Sequence, residues 1–178
     1  MSEAPSQTLA VAIAGSPSPT SSSRRIALRV LGALAEHGWV TETVDLAQLP
    51  ADPLLGRGED ARVRRAIELA GEARILVLAT PIYRASYSGL LKCFFDLMPV
   101  EHLAGRVCAL VATGTAPAHA LAIDHGLRPL VASVGGVCGA HAVYATPADL
   151  TGGEPRPELV RRIRRVAEEA DRLARALG

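Results

Sequence analysis

Aromatic side chains are scarce. Trp39, Tyr83, Tyr87, Phe94, Phe95 and Tyr144 are the only six in 178 residues. Four of them fall between Tyr83 and Phe95, which marks that stretch as the place for a flat ligand and a subunit contact. Cysteine is sparse too: Cys93, Cys108 and Cys138 are odd in number, widely spaced and free of any CxxC. That pattern excludes a disulfide framework and a zinc site and predicts buried free thiols. Charge of one sign is also lacking. Lys+Arg is 19 against 18 Asp+Glu, a net +1, which argues against both a nucleic-acid footprint and an acidic electron-carrier surface. No apolar run approaches the roughly 20 residues of a membrane span. The first residues lack a signal peptide's basic start and apolar core. The expectation is a cytoplasmic protein with neither nucleic-acid nor membrane partners.

The composition is otherwise that of a globular chain, 49% hydrophobic and 21% charged, and its length suits about one domain, residues 1–178. Strand and helix patterns alternate. Thr8–Ala14 and Arg74–Ala79 are near-continuous apolar runs, as is Arg106–Ala112, and all three read as strands covered on both faces. Trp39–Asp45 alternates, and Val137–Tyr144 reads as one last strand. Helices are expected over Arg24–His37, Glu59–Ala70 (ended by Gly71), Ser86–Met98 and Ala116–Leu130, with Gln48–Gly58 as loop. Leu159, Ile163, Val166, Ala170, Leu173 and Leu177 form an apolar stripe on a C-terminal helix. Its outer face offers the i,i+4 pairs Arg164–Glu168, Glu168–Arg172 and Asp171–Arg175. Such alternation implies a parallel sheet with helices on both faces and a ligand beyond the carboxyl ends of the strands.

Three post-strand loops are therefore the candidates for function. The first, Gly15–Ser23, lacks both GxGxxG and a Walker A lysine. It places hydroxyls at Ser16 and at Thr20 to Ser23 before a helix, an arrangement suited to a phosphate and equally to an N-cap. The second, Thr80–Lys92, runs from a buried strand through Pro81 to Tyr83 at its apex, and Gly89 lets a planar ligand approach. Lys92 is the only lysine in the chain. The third, Thr113–His119, is a small turn with a donor-rich rim, where His119 either donates to a ligand carbonyl or caps locally. The histidines lack the HxH or HExxH spacing of a metal site, so no metal is expected.

The stretch TPIYRASYSGLLK from Thr80 to Lys92, with Asp96 four residues on, resembles the TPxYxxxxSGxLKxxxD signature of the NAD(P)H-dependent FMN reductases. Ala112 to Pro129 is similar to the branch that serves sulfonate monooxygenases. The resemblance covers nearly the whole chain. It implies a flavodoxin-like three-layer α/β sandwich with a five-stranded parallel sheet in the order 2-1-3-4-5. It also implies FMN and NAD(P)H as ligands, a homodimer or homotetramer, and a flavin-dependent monooxygenase as partner. Carried over by position, Ser16, Ser21, Ser22 and Ser23 would hold the FMN phosphate. Pro81, Ile82, Tyr83 and Arg84 would line the isoalloxazine, and Thr113, Gly114, Thr115 and His119 would border its polar edge. Ser88 and Gly89 belong to the signature without an assigned contact.

Two departures stand out. The family commonly carries an arginine two residues after the serine matching Ser16; here that residue is Ser18, which leaves Arg24 or Arg25 as substitutes. Some relatives carry Tyr where this chain has His125, on the helix that often forms the tetramer interface. Hydride transfer to a flavin needs position, ring electrostatics and water exclusion rather than a protein base, so no catalytic acid or base is assigned. A quinone or azo reductase with tightly held FMN would use the same loops. A flavodoxin-type carrier would be acidic and richer in aromatics. A flavin-free scaffold that kept the fold is the third alternative. The scarcity of rings argues for a flavin that exchanges.

Overall fold

The computed structural model describes residues 8–177. The sheet is built from β1 (Leu9–Ala14), β2 (Val40–Asp45), β3 (Ile75–Pro81), β4 (Val107–Thr113), β5 (Val137–Cys138) and β6 (Val143–Ala145). All pairings in it are parallel, in the order β2-β1-β3-β4-β5, with β6 also on β4. The helices are α1 (Ser22–Glu36), α2 (Ala51–Leu54), α3 (Ala61–Glu72), α4 (Gly89–Asp96), α5 (Arg128–Ala132) and α6 (Pro157–Leu177). The expected flavodoxin-like order is thus present.

Strand residues alternate between two cores. Leu9, Val11 and Ile13 of β1 face the layer formed by α3, α4 and α5, together with Leu76, Leu78 and Leu110. Ala10 and Ala12 face the layer of α1 and α6, against Ile26, Val30, Leu34, Ile163 and Val166. Both faces being covered explains the continuous apolar runs, and burying each large aliphatic side chain stabilises by about 1.5–3 kcal/mol. Small residues on the α1 side of β1 let that helix lie close to the sheet. By contrast β2 is an edge strand with Thr41, Glu42 and Thr43 exposed, and its polar surface discourages edge-to-edge pairing.

Several sequence expectations are corrected. The predicted helix over Ala116–Leu130 is a 3₁₀ turn at Pro117–Ala120, a π turn at Ile123–Leu127, and then α5. Pro129 has no N–H to give the preceding turn, and the Arg128 N–H instead donates five residues back to the Ile123 carbonyl. The predicted strand Val137–Tyr144 is split into β5 and β6. Between them Glu169 accepts from the Ala140 and His141 N–H groups at 3.1 and 2.9 Å. Arg128 donates to the Gly139 and Ala140 carbonyls at 2.6 and 2.9 Å. Side chains thus satisfy the backbone groups that leave the ladder.

α3 runs past Gly71 to Glu72, and Ala51–Leu54 of the expected loop is helical. Phe94 and Phe95 are buried core residues in edge contact, not a subunit surface. Of the thiols only Cys108 is fully buried; Cys93 and Cys138 are half-buried, and all three are free. On α6 the buried stripe ends at Ala174, while Leu177 is exposed. Of the three expected pairs there, Asp171–Arg175 forms at 2.7 Å. Among the described residues no helix is long and apolar enough to cross a membrane.

Candidate functional site

The parallel registers bring three strand ends to one level, with Pro81 beside Thr113 and Thr113 beside Ala145. Beyond them the chain turns away from the sheet, and a cleft of about 500 Å³ opens against the start of α1. Its lining is Ser22 and Arg25 from α1, Pro81, Ile82 and Tyr83 after β3, and Thr113, Gly114 and Thr115 after β4. Ala145, Thr146, Pro147, Leu150 and Gly153 complete it.

The first loop is ordered by its own hydroxyls. Ser16 Oγ accepts from the Ser18 N–H at 3.2 Å. Ser21 is the N-cap of α1; its Oγ accepts from the Arg24 N–H at 3.1 Å and lies 2.9 Å from Ser23 Oγ. Ser16, Ser21 and Ser23 are buried. Of the four serines expected at a phosphate, Ser22 alone lines the cleft. The N–H groups of the first helical turn have no intrahelical partner and face the same end.

The second loop is tied to the first by signature residues. The Ser88 N–H donates to Thr80 Oγ1 at 2.9 Å, and Ser88 Oγ accepts from the Leu91 N–H at 3.1 Å as the N-cap of α4. The same hydroxyl donates to the Gly15 carbonyl, so it joins α4 to the end of β1. Ser88 is buried there and serves architecture, and the signature pair Lys92–Asp96 is an exposed ion pair. Tyr83 and Ser86 close a two-residue turn through N–H donations at 2.8 and 3.1 Å. Arg84 and Ala85 at its tip have φ of 51° and 64°, left-handed values that cost side-chain-bearing residues energy. The turn holds Tyr83 half-exposed over the cleft and carries Arg84 outside its lining.

In the third loop Gly114 is hemmed in from behind. A Cβ there would collide with the Tyr144 hydroxyl and lie 3.2 Å from His119 Nδ1. The Tyr144 hydroxyl donates to the Ala116 carbonyl at 2.6 Å. His119 stands behind the lining, and its Nδ1 is buried without a hydrogen-bond partner.

The fourth wall, Ala145–Gly153, was missed by the sequence reading. The strand that feeds it is interrupted, so its TPADLTGG turn did not register as a fourth post-strand loop. Thr146 and Asp149 brace it: the Thr146 N–H and hydroxyl donate to Asp149 Oδ2 at 2.8 and 2.9 Å. From α6, Arg162 donates to the Tyr144 carbonyl at 2.7 Å and to Asp149. Burial would push the Asp149 carboxyl up, but the Thr146 and Arg162 hydrogen bonds hold it below its ordinary range. A short hairpin, β7 (Leu150–Thr151) and β8 (Glu154–Pro155), closes the rim, and Arg29 of α1 pairs with its Glu154.

Among the described residues no carboxylate, thiol or histidine lines the cleft. Its chemistry is therefore that of a binding surface of hydroxyls, small residues and one open aromatic, with one cation at its rim. Among the described residues no cluster of His, Cys, Asp and Glu could hold a metal.

Comparison with known proteins agrees with this geometry. The chain is similar to an FMN reductase (NADPH) of Pseudomonas putida, 36% identical over 71% of this chain and 64% of that protein, just under two thirds of its length. It is also similar to the NADH-dependent FMN reductase SfnF of Pseudomonas fluorescens, 38% identical over 78% of this chain and 75% of that protein. Among solved structures, apo NADH:FMN oxidoreductase EMOB superposes with a TM-score of 0.85 at 32% identity, covering 96% of this chain and 90% of that one. Residues 8–151 match the family model described as NADPH-dependent FMN reductase, and the chain belongs to that family.

Proposed function

We propose that residues 1–178 form one flavodoxin-like unit that oxidises NAD(P)H and reduces FMN, releasing reduced FMN to a flavin-dependent monooxygenase in the cytoplasm. The observation that carries this reading is the cleft itself. It opens at the carboxyl ends of β3, β4 and β6 and, among the described residues, is lined without a carboxylate, thiol or imidazole. Hydride transfer to a bound flavin asks only for position, electrostatics and exclusion of water.

The residues present fit FMN. Gly114 offers bare backbone to a flat ring, because its rear is filled by Tyr144 and His119. Thr113 and Thr115 bring hydroxyl donors to the lining on either side of it. Ser22 and the first turn of α1 suit a phosphate. Ile82 is buried and adds an apolar side chain to the lining. When bound, FMN supplies the hydride acceptor. The chain's own part is to hold it: Tyr83, half-exposed, covers one side of the cleft and leaves the mouth open to a nicotinamide. A homodimer or homotetramer is part of this proposal. It is supported by Leu121, which is 60% exposed on the segment expected to make subunit contacts.

The test is NADH or NADPH oxidation by the purified chain alone, with added FMN varied. Saturation by free FMN with ternary-complex kinetics is expected. Ping-pong turnover with a quinone, independent of added FMN, would overturn the release of reduced flavin. No oxidation at all would overturn the enzyme reading.

A further inference from the structure

A cation strengthens a phosphate site at the start of a helix, yet the first loop, Gly15–Ser23, contains no basic residue. Three arginines follow on α1, and their surroundings differ. Arg24 turns to the β2 side, where its Nε lies 3.2 Å from Asp45 Oδ2. Arg29 is paired with Glu154 of the hairpin. Arg25 has no carboxylate within salt-bridge distance among the described residues, and it is the one charged residue in the lining of the cleft.

Its placement follows from helix geometry. Side chains on a helix lean toward its N-terminus, so the Arg25 guanidinium reaches back one turn and donates from Nη2 to Ser22 Oγ at 3.2 Å. On its other side it meets the turn between β7 and β8. Gly153 there has a φ of +86°, and a Cβ on it would stand 2.8 Å from Arg25 Nη1. The guanidinium thus lies close against the Gly153 backbone, and the Arg29–Glu154 pair ties the same hairpin to α1. The result is a guanidinium between a hydroxyl and a backbone turn, at the positive end of a 15-residue helix. A guanidinium fork matches the paired oxygens of a phosphate monoester.

We propose that Arg25 supplies the cationic contact to the 5′-phosphate of FMN and thereby sets the preference for FMN over riboflavin. This rests on the FMN reductase reading above. It assigns a role to one residue of that site, chosen by its surroundings over Arg24 and Arg29.

The experiment is equilibrium titration of the full-length chain with FMN and with riboflavin, read by flavin fluorescence. The proteins are the wild type, Arg25→Ala, Arg25→Lys and Arg24→Ala. Arg25 is exposed, so its variants should fold, and circular dichroism checks this. Arg25→Ala is expected to raise the FMN Kd by about tenfold or more while leaving the riboflavin Kd unchanged. Arg25→Lys should recover part of the loss, and Arg24→Ala should keep the wild-type preference. Raising salt to about 0.3 M should weaken FMN binding to the wild type more than to Arg25→Ala. Equal losses for both flavins, or an unchanged preference, would overturn the proposal. So would an unchanged FMN Kd with a raised NAD(P)H KM, which would give Arg25 to the nucleotide. Failure of the wild type to bind FMN at all would instead strike the FMN reading itself.

Discussion

At the residue scale, neighbouring serines in one loop have different work. Ser22 lines the cleft, whereas Ser21 caps α1 and is buried against Ser23. Ser22→Ala should therefore weaken FMN binding by about 1 kcal/mol, roughly fivefold in Kd, with little change in melting temperature. Ser21→Ala should act the other way round, costing about 1 kcal/mol of stability through the lost cap. Paired flavin titrations and thermal melts check both, and equal effects of the two substitutions would refute the division. Ala85 sits at φ 64° in the Tyr83–Ser86 turn. Left-handed backbone costs a residue with a Cβ about 1–2 kcal/mol, part of which glycine's unfolded-state entropy takes back. Ala85→Gly is thus expected to raise stability by about 0.5–1 kcal/mol, measured by urea unfolding, and a lower stability would contradict the strain.

At the element scale, the wall formed by Ala145–Gly153 is held from outside. Arg162, on α6, reaches both the Tyr144 carbonyl and Asp149. Arg162→Ala removes these charged hydrogen bonds from a partly exposed position. It is expected to cost about 1 kcal/mol and to weaken flavin binding several-fold. Calorimetry and titration separate the two effects; a lower melting temperature with unchanged flavin affinity would mean that the wall is braced but not used. This element also shows where sequence reading falls short. The signature from Thr80 to Lys92 was legible because its Pro, Tyr, Ser and Gly are compressed into one loop. The wall depends on an arginine of the next helix, 13 residues beyond Asp149 and 18 beyond Tyr144, and no motif spans that gap. The helix expected over Ala116–Leu130 is broken instead by a local feature. Its Ala/Leu content favours helix, but Pro129 removes a donor near its C-terminal end, and a π turn stands at Ile123–Leu127.

At the scale of the whole molecule, Trp39 and Asp171 join segments that lie far apart in sequence. Trp39 Nε1 donates to Asp171 Oδ1 at 2.7 Å, and Arg175 Nε donates to the same oxygen at 2.7 Å. Burial pushes the Asp171 carboxyl up, but the bonds from Trp39 and Arg175 outweigh it and hold the group below its ordinary value of 3.8. A depressed carboxyl contributes stability that is present above pH 3.8 and lost as pH falls below it through the folded-state value. Asp171→Asn should therefore be destabilised by about 1–3 kcal/mol at neutral pH, and its deficit against the wild type should shrink as pH falls below 3.8. Urea unfolding followed by fluorescence of Trp39, the only tryptophan, reads this directly; a deficit independent of pH would refute the charge argument. The α/β class and the three loops followed from periodicity and turn residues, which are properties of consecutive residues, and the strand order came with the resemblance carried by the Thr80–Lys92 signature. The split last strand, the fourth wall and the division of labour among Ser21, Ser22, Arg24 and Arg25 did not. They depend on which groups face a shared cleft and which find partners elsewhere, and only the packing of distant segments against one another decides that.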